Sequence, residues 1–258
     1  MVLSSAELTA WIGTYLWPLF RIAAFISAAP IFGVRFLPVR VKTVLAIALT
    51  LFVSPLLTPV PFVDPLSVDG VLIIVQQVII GLAMGLGMNL VFSVFVIGGQ
   101  IVALNMGLGF ASMVDPQMGT QVPVISQFYI ILVTLTFLGF NGHLALIELL
   151  VESFKTLPIS TQGLTPNGYW QLVHWGTQMF QGAVMVALPA TAALLMVNFA
   201  LGIIMRAAPQ FNIMSIGFPV TLTLGFVIII VTLPILLPAI SQQAVAGFEL
   251  IRVILSRS

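Results

Sequence analysis

Apolar residues fill this chain in long stretches separated by short polar or proline-rich connections, and their helical spacing predicts a succession of helices. Ser4 and Glu7 have the spacing of a capping box, so a first helix starts there and its apolar stretch runs from Leu8 to about Phe32. Pro18 and Pro30 are placed to kink or end it, because proline lacks the N–H that the helical ladder needs. A basic connection carrying Arg35, Arg40 and Lys42 follows, then a short apolar helix over residues 43 to 57 and a Pro-rich, acidic connection from Thr58 to Asp69. Residues 70 to 104 are almost continuously apolar and would extend about 50 Å as a helix, against a hydrocarbon core of roughly 30 Å. Such a segment must protrude or break, and Gly98-Gly99 is the expected weak point. Within it, Gly81 and Gly85 have GxxxG spacing, which lets another backbone approach closely and reads first as ordinary helix packing.

Beyond a connection at 105 to 122, a helix is expected from about Pro123 to Phe140, broken at Asn141-Gly142, with helical periodicity resuming through Leu157. The second piece carries Glu148, Glu152 and Lys155 and is amphipathic, so it is a weaker span. A polar turn from Pro158 to Gly168 leads into a long helix from Tyr169 to Met205, where Pro189 is a candidate bend. A second unusual connection, Arg206 to Gly217, precedes an apolar segment from Phe218 to Ile240 with Pro234 and Pro238 near its end, and Ser241 to Ser258 is amphipathic.

Composition turns this pattern into an environment. Of 258 residues, 60% are hydrophobic and 6% are charged, whereas soluble domains carry about 25% charged residues, so the solvent is a bilayer. Repeated apolar runs with short connections point to one cooperative helical bundle, a single domain over residues 1–258. A net charge of +1 and the lack of a polybasic run exclude a nucleic-acid partner, and the absence of cysteine removes disulfide, thiolate and Cys-metal chemistry. The first apolar stretch passes Arg21 with no basic n-region or cleavage site, so it is expected to stay as a helix. The positive-inside rule puts residues 35 to 42 on the cytoplasmic face and 58 to 69 opposite, but orientation further on depends on whether residues 142 to 157 cross.

Catalytic chemistry finds few parts. His143 and His174 belong to no metal-ligand spacing, and there is no nucleophile elbow and no phosphate loop, so no catalytic residue, cofactor or metal site is expected. Arg21 stands apart, because a charge inside an apolar helix costs about 2.5 to 3.5 kcal/mol on insertion scales and must find a polar partner. Snorkelling or a structural ion pair is one outcome; an inter-subunit contact or a pore-lining charge is another. The connection NMGLGFASMVDPQMGTQV at 105 to 122 holds Gly107, Gly109, Gly119, Phe110, Met106, Met113 and Met118 with a single charge, and is too apolar for a wet loop. Irregular backbone at membrane depth has to be buried in protein or line a cavity. Glycines that permit unusual backbone angles and methionines that repack suit a deformable seal, with a loop docked statically between subunits as the alternative.

Two stretches carry a resemblance. GLGFASMVDPQ at 107 to 117 and RAAPQFNIMSIGFPV at 206 to 220 are similar to signature regions of the FliR family of type III secretion export-gate proteins, and the apolar pattern between them resembles that family over essentially the whole chain. The resemblance implies an all-α fold: an integral membrane or membrane-associated bundle of long, kinked helical hairpins built for hetero-oligomeric assembly, with subunits packed helically above the membrane plane. It implies a non-enzymatic core subunit of the flagellar export gate in the bacterial cytoplasmic (inner) membrane, at the flagellar basal body. FliP and FliQ are the implied core partners, FlhA and FlhB the co-workers, and unfolded flagellar subunits the cargo. It also makes Gly107, Phe110, Met113 and Met118 candidate plug residues. Arg206, Pro209, Gln210, Asn212 and Gly217 match the second motif and are assigned a hinge or interface role, with Arg21 as a further interface candidate. The equivalent injectisome subunit is the close alternative; a secondary transporter, whose broken helices would form mid-membrane sites, is the competitor from another class.

Overall fold

The computed structural model describes residues 5–34, 36–57, 61, 63–108, 123–208 and 217–256, with side chains from residue 13 onward. Seven α-helices and no strand occur among them: α1 (Ser5–Ala28), α2 (Val39–Val53), α3 (Val68–Asn105), α4 (Val124–Gly139), α5 (Gly142–Thr156), α6 (Pro166–Ala207) and α7 (Phe218–Leu255). A short 3-10 turn, Ser54–Leu56, extends α2. Four stretches among the described residues are long and apolar enough to cross a membrane, and five if α4 and α5 count as one broken span. The chain is therefore an all-α membrane bundle, as its composition requires.

Helix starts follow local chemistry. The Ser67 hydroxyl accepts the Gly70 N–H at 3.1 Å, and the Thr165 hydroxyl accepts the Gly168 N–H at the same distance, with Pro166 in the first helical position. These caps start α3 and α6 two to three residues before the apolar pattern alone would place them. The break between α4 and α5 falls at Asn141, whose φ of 59° is left-handed, a conformation that asparagine tolerates better than most residues.

Several expected interruptions are absent. The α3 helix runs unbroken through Gly98-Gly99, because both glycines are packing notches: a Cβ on Gly98 would stand 3.2 Å from the Ala183 carbonyl of α6, and one on Gly99 2.8 Å from Ser126 of α4. The Ser126 hydroxyl also donates to the Val96 carbonyl at 2.9 Å, which fixes that approach. Tertiary contact overrides the weak glycine propensity. Pro18 does not end α1, which continues to Ala28, and Pro234 and Pro238 lie inside an α7 that continues to Leu255 rather than stopping near Ile240; Pro189, the candidate bend, lies within α6. Apolar membrane helices tolerate such prolines where surroundings re-satisfy the freed backbone groups.

The chain divides into two compact units. Unit 1 comprises residues 1–90, 141–176 and 244–258, and unit 2 comprises 91–140 and 177–243, so α3, α6 and α7 each contribute a stretch to both. In unit 1, Trp17, Ile22, Phe25, Ile80, Met84 and Phe154 are buried. There α5 buries Leu146, Leu149, Leu150, Ser153 and Phe154 on one face while Glu148, Glu152 and Lys155 stay exposed, which is the amphipathic pattern expected for it. In unit 2, Phe95, Met106, Tyr129, Phe137 and Leu194 are buried, with the Phe92 and Phe137 rings edge to face at 5.5 Å. On α6 and α7 many large apolar side chains face outward, among them Met196 at 75%, Phe199 at 72% and Val231 at 69% exposure.

Candidate functional site

The first polar feature grows out of the Gly81/Gly85 spacing. On α3, Gln77, Gly81, Gly85 and Asn89 follow one another at four-residue intervals and so share a face. A Cβ on Gly81 would lie 2.9 Å from the Ala24 Cβ, and one on Gly85 2.6 Å from the Ala28 Cβ, so α1 lies with its backbone directly on this face. Small residues on both helices, Ala24 and Ala28 against Gly81 and Gly85, make that approach possible. The polar ends of the row complete it: the Asn89 amide donates to the Ala28 carbonyl at 3.3 Å, and the Gln77 amide oxygen accepts from Arg21.

Arg21 is wholly buried and makes four hydrogen bonds. Its Nε donates to Gln77 Oε1 at 2.9 Å, Nη1 to the Ser153 carbonyl at 2.9 Å and the Ser153 hydroxyl at 3.1 Å, and Nη2 to the Leu157 carbonyl at 2.8 Å. Its guanidinium also sits 4.2 Å from the Phe154 ring centroid. Ser153 and Leu157 are at the carboxyl end of α5, where the helix dipole is negative; the Leu157 carbonyl lies past the last bond of the helix, while that of Ser153 also accepts the Leu157 N–H. The expected polar partner is therefore a helix terminus and an amide. Of the alternatives raised by the sequence, snorkelling and a carboxylate pair do not describe this geometry. The guanidinium fork ties α1, α3 and α5 together inside unit 1.

The second feature is the end of α3. Gly107 has a φ of 84°, its N–H donates to the Leu104 carbonyl at 3.1 Å, and the Leu108 N–H reaches back to the Ala103 carbonyl at 3.0 Å. This is a Schellman motif, and Gly107 occupies the one position in it where a side chain would be strained. Met106, just before it, is completely buried. Arg206 is exposed in the last turn of α6, where its charge complements the helix dipole, and Gly217 is buried at the entry to α7. Phe110, Met113, Met118, Pro209, Gln210 and Asn212 lie outside the described residues, as do Arg35 and Ser4.

Comparison with known proteins bears on this arrangement directly. Residues 12–246 match the model of a family described as bacterial export proteins, family 1, a span that includes both motif-bearing connections. The chain is 38% identical over 257 residues to flagellar biosynthetic protein FliR of Pectobacterium carotovorum subsp. carotovorum, covering 100% of this chain and 98% of that protein. It is 40% identical over 253 residues to the protein of the same name in Escherichia coli K12, covering 98% and 97%, and 27% identical over 241 residues to that of Bacillus subtilis, covering 92% of each. The chain belongs to bacterial export protein family 1, the family of FliR.

For this FliR-family chain, sequence reasoning singled out Arg21 and Gly107 but missed their surroundings. Gln77 could have been found, since it is the polar residue one turn before Gly81 on the face that carries the GxxxG spacing. Ser153 and Leu157 could not, because they contribute backbone carbonyls 132 and 136 residues away. Asn198 of α6, whose amide donates to the Asn105 carbonyl at 3.2 Å, was also passed over, although it is a lone polar side chain between Val197 and Phe199.

Proposed function

We propose that this chain is a non-enzymatic core subunit of a bacterial flagellar type III protein-export gate, seated in the cytoplasmic (inner) membrane at the flagellar basal body. Family membership along nearly the whole length, with relatives named flagellar biosynthetic protein, carries the reading and favours the flagellar over the injectisome system. FliP and FliQ would form the hetero-oligomeric core with it, FlhA and FlhB would work beside it, and unfolded flagellar subunits would be the cargo. Residues 1–258 would act as one domain, since three helices thread both compact units. The outward apolar faces of α6 and α7 supply surface for lipid or partner subunits, and their continuous lengths of 42 and 38 residues correspond to roughly 63 and 57 Å, about twice a hydrocarbon core.

In this reading residues 105–122 form the plug. A passage wide enough for unfolded polypeptide must still hold back ions when idle, and Phe110, Met113 and Met118 offer bulky and adaptable apolar groups that can close a pore by excluding water. Gly107 ends α3 so that the chain can turn away into that segment. Residues 206–217 would be a structural hinge or interface, with Pro209 restricting its neighbour and Gly217 seated at the start of α7. Affinity purification of the chain from native membranes is expected to recover FliP and FliQ homologues, and their absence from an otherwise intact preparation would remove the gate reading. Replacing Phe110, Met113 and Met118 together by Ala should raise small-solute uptake at unchanged complex abundance; wild-type permeability in that variant would retire the plug and leave a statically docked loop.

A further inference from the structure

We propose that Met106, Asn198 and Gly225 form a positioning lock that clamps the last turn of α3 to α6 and α7 and so fixes the direction in which the chain leaves that helix. A helix carboxyl end leaves four carbonyls without intrahelical partners. Here the Schellman turn engages those of Ala103 and Leu104, while Asn105 and Met106 turn theirs toward other helices. From α6, Asn198 Nδ2 donates to the Asn105 carbonyl at 3.2 Å. From α7, the Thr221 hydroxyl lies 3.4 Å from the Met106 carbonyl but only 3.0 Å from its own Phe218 carbonyl, so its single proton serves the local bond first and its contribution to the lock is secondary.

The side chain of Met106 supplies the mechanical part. It is wholly buried, while Leu104 two residues earlier is 57% exposed. It lies flat on Gly225 of α7: a Cβ there would come within 2.6 Å of both Met106 Cγ and Cε, and 2.9 Å of Sδ. All three heavy atoms of the methionine beyond Cβ lie against that one glycine, so α7 presents a notch shaped to this side chain. The amide of Asn198 has a reason to stay engaged, since a polar group on an apolar membrane helix otherwise lacks a partner. All these residues belong to unit 2, and α6 and α7 are the two helices that bracket residues 208–217. The clamp therefore holds the start of the 105–122 connection against the first turns of α7, the helix into which the 206–217 connection runs.

The lock stands on these contacts alone; its consequence for permeability rests on the plug proposed above. The chain has no cysteine, so an introduced pair, Leu104→Cys with Leu224→Cys, can be spin-labelled without background, and both positions are exposed. Distances would be measured by pulsed electron paramagnetic resonance in the full chain co-expressed with FliP and FliQ. The parent should give one narrow distribution. Asn198→Leu, which removes only the amide, and Gly225→Val, which fills the notch, should each shift it or add a second distance, while a control pair within α7, Leu224→Cys with Val231→Cys, stays unchanged. An unaltered distribution in both variants, at parental complex abundance, overturns the lock. Solute uptake by the variant with Phe110, Met113 and Met118 all replaced by Ala is measured in parallel: leakage there with unaltered lock distances sinks the lock and spares the plug, and shifted distances without leakage do the reverse.

Discussion

Replacing Arg21 by lysine should damage this protein more than replacing it by methionine, although lysine keeps the charge. In Arg21→Met the Ser153 carbonyl retains the Leu157 N–H, and the Ser153 hydroxyl retains its bond to the Leu150 carbonyl. Two acceptors are orphaned, Gln77 Oε1 and the Leu157 carbonyl, each costing about 1–3 kcal/mol, or roughly 2–6 kcal/mol together. Against this, the variant no longer inserts a charge that costs about 2.5–3.5 kcal/mol, so the net effect runs from a gain of about 1.5 to a loss of about 3.5 kcal/mol, centred on a loss of about 1 kcal/mol. Arg21→Lys gains no such relief. A single ammonium cannot reproduce a planar fork that reaches Gln77 on one side and Ser153 and Leu157 on the other, so at least two charge-assisted bonds are lost at about 1.5–3 kcal/mol each, some 3–6 kcal/mol in all. The expected order of thermal stability is wild type, then methionine, then lysine, read as monodispersity of the detergent-solubilised complex after graded heating. A lysine variant as stable as wild type would show that charge alone matters and that the fork geometry does not.

Substitutions at three further positions test the helix packing and the broken span. Gly85→Val forces a side chain into the Ala28–Ala29 backbone of α1 and should cost at least about 1–3 kcal/mol by overpacking, whereas Gly202→Ala on α6, with nothing within 4 Å, should be neutral or gain up to about 1 kcal/mol in helix propensity; protease resistance of the two variants compares them. At Asn141, Gly should be tolerated because it adopts the left-handed angle freely, and Val should lose about 1–2 kcal/mol, measured as a lower apparent melting temperature for Asn141→Val only.

What could be read in advance divides along a physical line. Helix order and most boundaries were legible because the apolar period, the Asn141-Gly142 break and the helix-flanking Pro30, Pro123 and Pro158 act locally. The continuity of α3 was not, because Gly98 and Gly99 look like weak points until Ala183 and Ser126 are brought against them. The same holds at the sites. That Arg21 needs a partner follows from its burial cost, but the partner is the end of a helix more than a hundred residues away. Gly107 stood out as one of several glycines in an apolar connection, but its left-handed angle is set by the turn that closes α3, and the Met106 notch depends on a residue of α7 with no local mark in the chain.

The chemistry of the Arg21 acceptors has a consequence for how the protein meets changes in acidity. An arginine–carboxylate joint has a threshold: where protons are plentiful enough, the acid is neutralised and the attraction falls away. Amide, hydroxyl and main-chain carbonyl oxygens have no proton to take up in the biological range, so the acceptors that hold α1, α3 and α5 at Arg21 are the same on either side of a membrane. The acceptor side of this joint is indifferent to proton concentration.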